Sequence, residues 1–191
     1  MKEACLRTLT IPETEILQQA VTTHPESLYI PSDQLPQFIE LNRFLAFDIV
    51  PLYLKLPTME EYLESLLTMP VSSNGVDVIH HIIAGTNPIQ LPEGFLHMYI
   101  SNCIRSCDVL EGHWQDKQVR LVAKFIQSLL VKRIIPMAEY LIEVQSFCIG
   151  FLRFRGVAAL YRLVSGEAQR IGYELGMNTS EEPSTSARNG G

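Results

Sequence analysis

Apolar residues recur every three or four positions along most of the chain. In the stretch TMEEYLESLLTM, Met59, Tyr62, Leu63, Leu66 and Leu67 follow this spacing, which is typical of an α-helix with one buried face. No stretch alternates apolar and polar residues for long enough to predict a β-strand. The pattern therefore predicts an all-α fold.

Proline and glycine mark the ends of short helices in the front half of the chain. The stretch PETEILQQAVTT begins with Pro12, which a first helical turn tolerates, and acidic residues follow near the positive end of the helix dipole. Thr58 followed by Glu61 predicts a capping box. The apolar spacing of VDVIHHIIAG predicts a helix that ends at Gly85 in a left-handed cap.

The back half has fewer breaks and longer apolar periods. Pro136 is the one proline between positions 93 and 175, so we expect long helices there. They are predicted over residues 93–111, 116–133, 137–153 and 156–173. Successive helices with short connectors favour antiparallel hairpins, stacked or solenoid-like, within one helical domain over residues 1–175.

The end of the chain has a different composition. Residues 176–191 are rich in Ser, Thr, Glu, Asn and Gly and contain few large apolar side chains. Such a segment buries too little surface to offset the loss of chain entropy on folding. We therefore predict a disordered C-terminal tail.

Charge is distributed unevenly along the 191 residues. The net charge is −6, yet residues 117–170 contain nine basic residues against three acidic ones. Residues 1–100 contain 4 Lys and Arg against 12 Asp and Glu. Two interpretations remain open: the two halves complement each other within one fold, or the basic 117–170 face binds an acidic partner such as RNA.

The sequence indicates neither a membrane span nor a secreted protein. No apolar run approaches the roughly 18 residues that a spanning helix needs, and FLAFDIVPLYL is broken by Asp48 and Pro51. The first residues, MKEACLRTLTIPETE, lack the apolar stretch of a signal peptide. Four irregularly spaced cysteines indicate reduced thiols. We expect a soluble intracellular protein.

The stretch HMYISNCIRSC raises the question of a metal site. On a helix each residue advances about 100°, so Cys103 and Cys107 share a face with Ile100 and other aliphatic residues. His97 points about 80–120° away from that face. Because a structural zinc site needs four ligands, two thiols among aliphatic residues indicate core packing. We predict no metal and no cofactor.

Catalytic patterns are also absent from the sequence. It contains no phosphate-binding loop, no G-x-G-x-x-G, no H-E-x-x-H and no nucleophile elbow. His80 and His81 point about 100° apart on a helix, so one is expected at the core edge and one in solvent. Cys148 lies among apolar neighbours, where a thiol is inert. Trp114 is predicted to wedge the turn between two helices. We therefore predict that the chain is not an enzyme.

Several blocks resemble a known family in content and order. They are LPEGFLHMYISNC, QVRLVAKFIQSLL, YLIEVQSFCIGF and AALYRLV, with weaker similarity through QLPQFIELNRFLAFDIVPLYLKL and MEEYLESLLTM. Together they resemble the carboxy-terminal domain of subunit eleven of the CCR–NOT (carbon catabolite repression–NOT) complex, an mRNA deadenylase assembly. The resemblance covers about residues 28–165.

The resemblance implies a non-catalytic interaction module of that complex. It implies roles in mRNA turnover, translational repression and gene silencing, in the cytoplasm and the nucleus. In the family, an amino-terminal region docks with subunit ten onto the large scaffold subunit, and the carboxy-terminal domain recruits regulatory proteins. RNA would then be contacted only indirectly.

Three positions depart from the family pattern. Pro51 is expected to interrupt a continuous helix, at a cost of about 3 kcal/mol if the helix persists. Gly150 and Gly156 are expected to weaken the last hairpin by about 1 kcal/mol each relative to alanine in a helix interior.

Polar side chains within the matching blocks are the candidate partner-binding residues. Long polar side chains are seldom buried without a partner group, and such residues can rim a groove that receives a helix or an extended peptide. The alternative is an ordinary solvated helix face. The predicted set is Asn102, Arg105, Arg120, Lys124, Gln127, Glu143 and Gln145.

Overall fold

A computed structural model describes residues 1–25 and 28–178 of the protein. Within these residues the regular elements are helical, which confirms the all-α prediction. Short 3-10 helices cover Lys2–Cys5 and Ser32–Gln34. The α-helices are α1 (Ile11–Thr23), α2 (Leu35–Leu41), α3 (Arg43–Tyr53), α4 (Met59–Thr68), α5 (Ser73–Ala84), α6 (Phe95–Asp108), α7 (Gly112–Val131), α8 (Met137–Gly150) and α9 (Val157–Asn178).

The helices form two layers. In one layer α1, α3, α5, α7 and α9 lie side by side, each in contact with the next. In the other layer α2, α4, α6 and α8 follow one another in the same way. The layers meet where α2 packs on α3 and α5, α6 on α7, and α8 on α9. This stacking of hairpins, each in contact mainly with its neighbours, confirms the solenoid-like prediction.

Two long helices differ from the prediction by more than three residues at one end. Helix α7 begins at Gly112, four residues before the predicted start, because its first turn is polar and carries no apolar period. Helix α9 continues to Asn178, beyond the predicted end at residue 173 and into the predicted tail. Residues 179–191, the rest of that tail, lie outside the described residues.

The capping box forms at a different helix from the predicted one. Thr58 precedes α4 with φ −89° and ψ 18° and makes no capping bond. At α1, the backbone N–H and the hydroxyl of Thr10 each donate to Glu13 Oε2 at 2.8 Å. The difference follows from backbone geometry, because Thr10 has the extended conformation that an N-cap needs and Thr58 does not.

Gly85 ends α5 as predicted, but not in a left-handed cap. Its φ is −78°, and its N–H donates to His81 O at 3.0 Å. A Cβ at this position would lie 2.3 Å from the same His81 oxygen. Glycine is needed here because the backbone passes too close to the helix for any side chain.

The prediction that both glycines of the last hairpin lie in a helix interior is wrong. Gly150 is the last residue of α8, and Gly156 lies in the turn before α9 with φ +96°. Neither residue is in a helix interior, and the positive φ of Gly156 is a conformation that suits glycine. Pro51, in contrast, does lie inside a helix, since α3 continues two residues beyond it to Tyr53.

The core runs continuously between the two layers. Its fully buried side chains include Phe38, Ile79 and Ile126, one from each of three neighbouring hairpins. Cys103 and Cys107 are also fully buried, which confirms their assignment to the core. Because the side chains between the two layers are buried, any functional site lies on the outer faces of the layers.

Candidate partner-binding surface

On α6, the predicted residues Asn102 and Arg105 lie close together. The Asn102 amide donates to Leu67 O at 3.1 Å and so ties α6 to the end of α4. Its Oδ1 accepts a hydrogen bond of 2.8 Å from the exposed Arg105 guanidinium. Asn102 therefore has a structural role between two helices of one layer, and it holds Arg105 at the surface.

On α7, the predicted residues form a continuous exposed stripe. Arg120 and Lys124 are exposed and lie one helical turn apart, with Lys117 before them and the half-buried Gln127 after them. Arg120 pairs with Asp116 at 2.6 Å on the same helix. We call Lys117, Arg120, Lys124 and Gln127 the α7 stripe.

On α8, Glu143 and Gln145 point in different directions. Residues two positions apart on a helix point about 160° apart around its axis. Glu143 faces α6, where its Oε1 accepts a hydrogen bond of 2.6 Å from the Ser101 hydroxyl. Its buried Oε2 accepts no hydrogen bond and lies 3.6 Å from His97 Nε2. Gln145 is directed away from this contact, toward the outer side of α8.

The predicted residues thus fall into separate groups. The structure brings Asn102 next to Arg105, and it aligns Arg120, Lys124 and Gln127 along one helix face. Glu143 is engaged between α6 and α8. The role of these residues in partner binding stays a prediction, and the α7 stripe is its most accessible part.

Ion pairs of the basic segment are local. Arg120 pairs with Asp116 and Arg170 pairs with Glu167, in each case on the same helix. These two contacts do not link the basic segment to the front half, but Lys132 Nζ donates to Ala84 O of α5 at 3.2 Å. Both interpretations of the charge distribution stay open.

The prediction that Trp114 wedges a turn is wrong. Its side chain lies in the first turn of α7 and is 66% exposed, with Lys117 Nζ 5.1 Å from the ring centroid. Two glutamines hold the turn instead, because Gln115 donates to Cys107 O and Gln118 donates to Val71 O, each at 3.0 Å. The polar pattern HWQDKQ does not predict which of these side chains faces inward, because either the glutamine amides or the tryptophan ring could do so.

The turn between α8 and α9 adds further charge at the same end of the molecule. The Arg153 guanidinium donates to Gln115 Oε1 at 3.3 Å and lies 4.8 Å from the Phe154 ring centroid. The turn thus contacts α7 at Gln115, the residue that follows Trp114 in the sequence. Sequence reasoning noticed the turn, but only the packing of the last hairpin on α7 places Arg153 against Gln115.

Apolar side chains on the outer side of α8 are a second feature that the sequence analysis missed. Ile142 is 80% exposed and Ile149 is 68% exposed. They are seven residues apart and lie on the side of α8 that faces away from its buried residues. The sequence signal for this feature is that α8 carries apolar residues on more than one face.

The thiols are not available for chemistry at neutral pH. Burial raises the pKa of Cys103 and that of Cys107 to about 12 in each case. Burial also raises the pKa of Cys148 to about 11. Because only a thiolate is a good nucleophile or metal ligand, these residues act as apolar core groups.

The contact between α6 and α8 does not form a catalytic triad. The Glu143 carboxylate lies between the Ser101 hydroxyl and the His97 ring, whereas a triad needs the imidazole between the hydroxyl and the acid. The ring therefore cannot take a proton from this hydroxyl.

The structure confirms the predicted environments of the two histidines of α5. His80 is half-buried, with Nε2 at 2.8 Å from Ser128 Oγ on α7, and His81 is exposed against Phe47. In the part of the chain that the structure describes, no group of three His, Cys, Asp or Glu residues is arranged to hold a metal ion. Nor does any helix among residues 1–25 and 28–178 have the length and apolar content to cross a membrane.

Two layers of stacked helices with an exposed basic face define an all-helical stacked protein whose candidate site is a surface. Sequence comparison identifies the family. A family model described as CCR4-NOT transcription complex subunit 11 matches residues 39–165, and the chain belongs to this family. A relative with the same description, from Dictyostelium discoideum, is 31% identical over 132 residues, or 69% of this chain. The chain spans 20% of that protein's length.

Proposed function

We propose that this chain is a non-catalytic, protein-binding part of the CCR4-NOT complex. In this role it acts in mRNA turnover, translational repression and gene silencing, in the cytoplasm and the nucleus. Family membership supports the assignment to the complex. The observation that supports a binding role is the α7 stripe, whose basic side chains are exposed along one face of α7.

The chemistry of the α7 stripe suits a protein partner with acidic side chains. Asp116 holds the Arg120 guanidinium in place at 2.6 Å, so less side-chain freedom is lost when a carboxylate of a partner binds there. Lys117 and Lys124 lie within one turn on either side. We expect other subunits of the complex, including the large scaffold subunit and subunit ten, and recruited regulatory proteins among the proteins captured.

A double charge reversal tests the proposed surface. Arg120→Glu with Lys124→Glu should abolish capture of complex subunits and regulatory proteins in a pull-down read by mass spectrometry. The melting temperature should change little, because exposed substitutions usually alter stability by less than about 0.5 kcal/mol.

The matched control reverses the same amount of charge elsewhere. Lys2 and Lys55 are exposed and lie far from α7 in the sequence and outside its helix contacts. Lys2→Glu with Lys55→Glu should leave capture intact. If the α7 variant captures partners as well as this control does, the α7 stripe is not the interface.

Direct binding of single-stranded RNA is a second candidate function, which the exposure of Trp114 favours. An exposed indole beside Lys117 has the composition of a stacking platform. Stacking contributes about 1–3 kcal/mol per base. Since Trp114 is the only tryptophan, RNA stacked on it would quench the intrinsic fluorescence of the protein.

Titration with an unstructured RNA at several salt concentrations tests this candidate. RNA binding should weaken steeply with salt and should be lost in Trp114→Ala. Fluorescence that RNA leaves unchanged at low salt would exclude stacking at this position.

A further inference from the structure

Helix α8 has an apolar outer side that no described helix covers. Ile142 and Ile149 are 80% and 68% exposed, and Leu152, in the turn that follows, is 50% exposed. Within the described chain, α8 packs against α6 in its own layer and against α9 in the other, and it is the last helix of its layer. The terminal repeat of a helical stack normally has a polar outer face, so this face indicates an interface.

The residues on this face follow a seven-residue repeat. Ala138, Gln145 and Leu152 are seven positions apart, and Ile142 and Ile149 lie between them at the intervening apolar positions. Residues that recur every seven positions are typical of helices that pair along their length, and Leu152 continues this spacing in the turn after α8 ends at Gly150. We call these five residues the α8 seam.

The seam is complementary to itself in the antiparallel direction. Ile142 and Ile149 are equally far from the point between Gln145 and Ser146, so a twofold axis there places Ile142 of one copy opposite Ile149 of the other. The two Gln145 side chains then lie beside the axis. An interface that repeats the same patch on both subunits requires this kind of self-complementarity.

Charge follows the same symmetry. Glu139 is exposed in the first turn of α8, and Arg153 and Arg155 are exposed just beyond its C-terminal end. An antiparallel arrangement brings the acidic end of each copy to the basic end of the other. A parallel arrangement would place like charges together at both ends, which is unfavourable.

The remaining residues of this chain do not provide an alternative cover. The thirteen residues after Asn178, TSEEPSTSARNGG, contain no Leu, Ile, Val, Met, Phe, Tyr or Trp. They therefore lack the apolar side chains that would fill a seam of isoleucine and leucine.

We propose that the α8 seam binds a second copy of this chain in an antiparallel, twofold-symmetric dimer. This inference goes beyond the proposed function and does not depend on any partner protein. Helix α8 has 14 residues, which is about 21 Å of helix. One seam of this length buries less than the about 800 Å² per partner of a standard interface. We therefore expect a weak dimer that forms only at high protein concentration.

Cysteine crosslinking tests the geometry directly. The native cysteines are all buried, so a new surface thiol would be the reactive one. Under mild oxidation, Gln145→Cys should give a disulfide-linked dimer, because the axis passes beside this position. Ile142→Cys and Ile149→Cys should crosslink poorly alone and well when the two variants are mixed. Ser73→Cys, exposed at the start of α5, is the control.

The crosslinking pattern distinguishes the possible outcomes. Efficient crosslinking of Ile142→Cys to itself would indicate parallel helices and overturn the proposed arrangement. Gln145→Cys that crosslinks no better than Ser73→Cys would overturn the dimer.

Sedimentation provides an independent measurement on the native sequence. The average mass of the unmodified chain should rise with concentration, and Ile142→Glu with Ile149→Glu should hold it at the monomer mass. The control Ile11→Glu with Ile16→Glu changes two isoleucines of α1 that are 77% and 65% exposed, and it should self-associate like the unmodified chain. A protein that stays monomeric throughout, or whose monomer binds a foreign helix at the α8 seam, would contradict the proposal.

Discussion

At the scale of single residues, one buried polar side chain fixes the path of the N-terminal segment. Asn42, between α2 and α3, is buried and donates to Ala4 O at 2.7 Å and to Arg7 O at 3.0 Å. Its Oδ1 accepts a hydrogen bond of 2.8 Å from the Leu9 N–H. A buried amide whose donors and acceptor are satisfied by backbone groups specifies one arrangement of the chain.

Replacing Asn42 should destabilise the protein more than the small size of this side chain suggests. Asn42→Ala leaves two backbone carbonyls and one N–H without their partner, and an unsatisfied buried group costs about 1–3 kcal/mol. We expect a loss of about 2 kcal/mol or more in the free energy of unfolding measured with urea. Asn87→Ala, at an exposed position, is the control, and equal stability of the two variants would contradict this account.

At the scale of elements, the turn between α8 and α9 depends on a single glycine. Gly156 has φ +96°, whereas Gly150 ends α8 with a helical backbone and open space where a Cβ would lie. The same substitution should therefore have opposite effects at these two positions, because only one backbone conformation suits an L-residue.

Alanine at each glycine measures this difference. Gly156→Ala should lower the free energy of unfolding by about 1–2 kcal/mol. Gly150→Ala should raise it by about 0.4–1 kcal/mol, since it reduces the freedom of the unfolded chain. Thermal melts of the two variants give the comparison, and a shift of the same sign in both would refute it.

A contact between two helices of one layer should make stability depend on pH. His80 on α5 lies 2.8 Å from Ser128 Oγ on α7. Burial lowers the pKa of His80, and the nearby Lys132 lowers it further. The unfolded chain, where the pKa of histidine is about 6.5, then takes up a proton more readily than the folded chain. The contribution of His80 is therefore present above that pH and is lost as pH falls below it.

Replacement of the histidine isolates its contribution. The difference in unfolding free energy between the unmodified protein and His80→Gln should shrink as pH falls below about 6.5. His81→Gln changes the exposed neighbour and is the control. A difference that stays constant between pH 8 and pH 5 would rule out this role for His80.

At the scale of the whole molecule, stability comes from apolar packing between two helix layers. Cys103 and Cys107 are fully buried beside aliphatic residues, and burial holds the pKa of both thiols near 12. A metal would have to deprotonate both thiols and displace core side chains to bind here.

Metal analysis tests this for the intact protein. Purified protein should contain no stoichiometric zinc by elemental analysis, and a chelator should leave the melting temperature unchanged. A fall of several degrees with chelator would mean that the two cysteines bind a metal that stabilises the fold.

The sequence by itself determined the class of fold, because apolar spacing at three and four positions can bury a face only on a helix. It also determined that Cys103 and Cys107 face inward, and that basic side chains crowd the second half. Those properties are local, since each depends on residues within a few turns of one another.

Tertiary structure alone decided which polar residues are bonded to a neighbouring helix and which face solvent. Asn102 is engaged by α4, Glu143 by α6, and Gln115 by the α6–α7 corner, whereas Trp114 faces solvent. Periodicity cannot separate these cases, because a polar residue on a helix flank points equally well to a neighbouring helix or to water. The neighbour is set by the order in which the helices stack, and so is the exposure of α8, whose outer side is open because no described helix follows it in its layer.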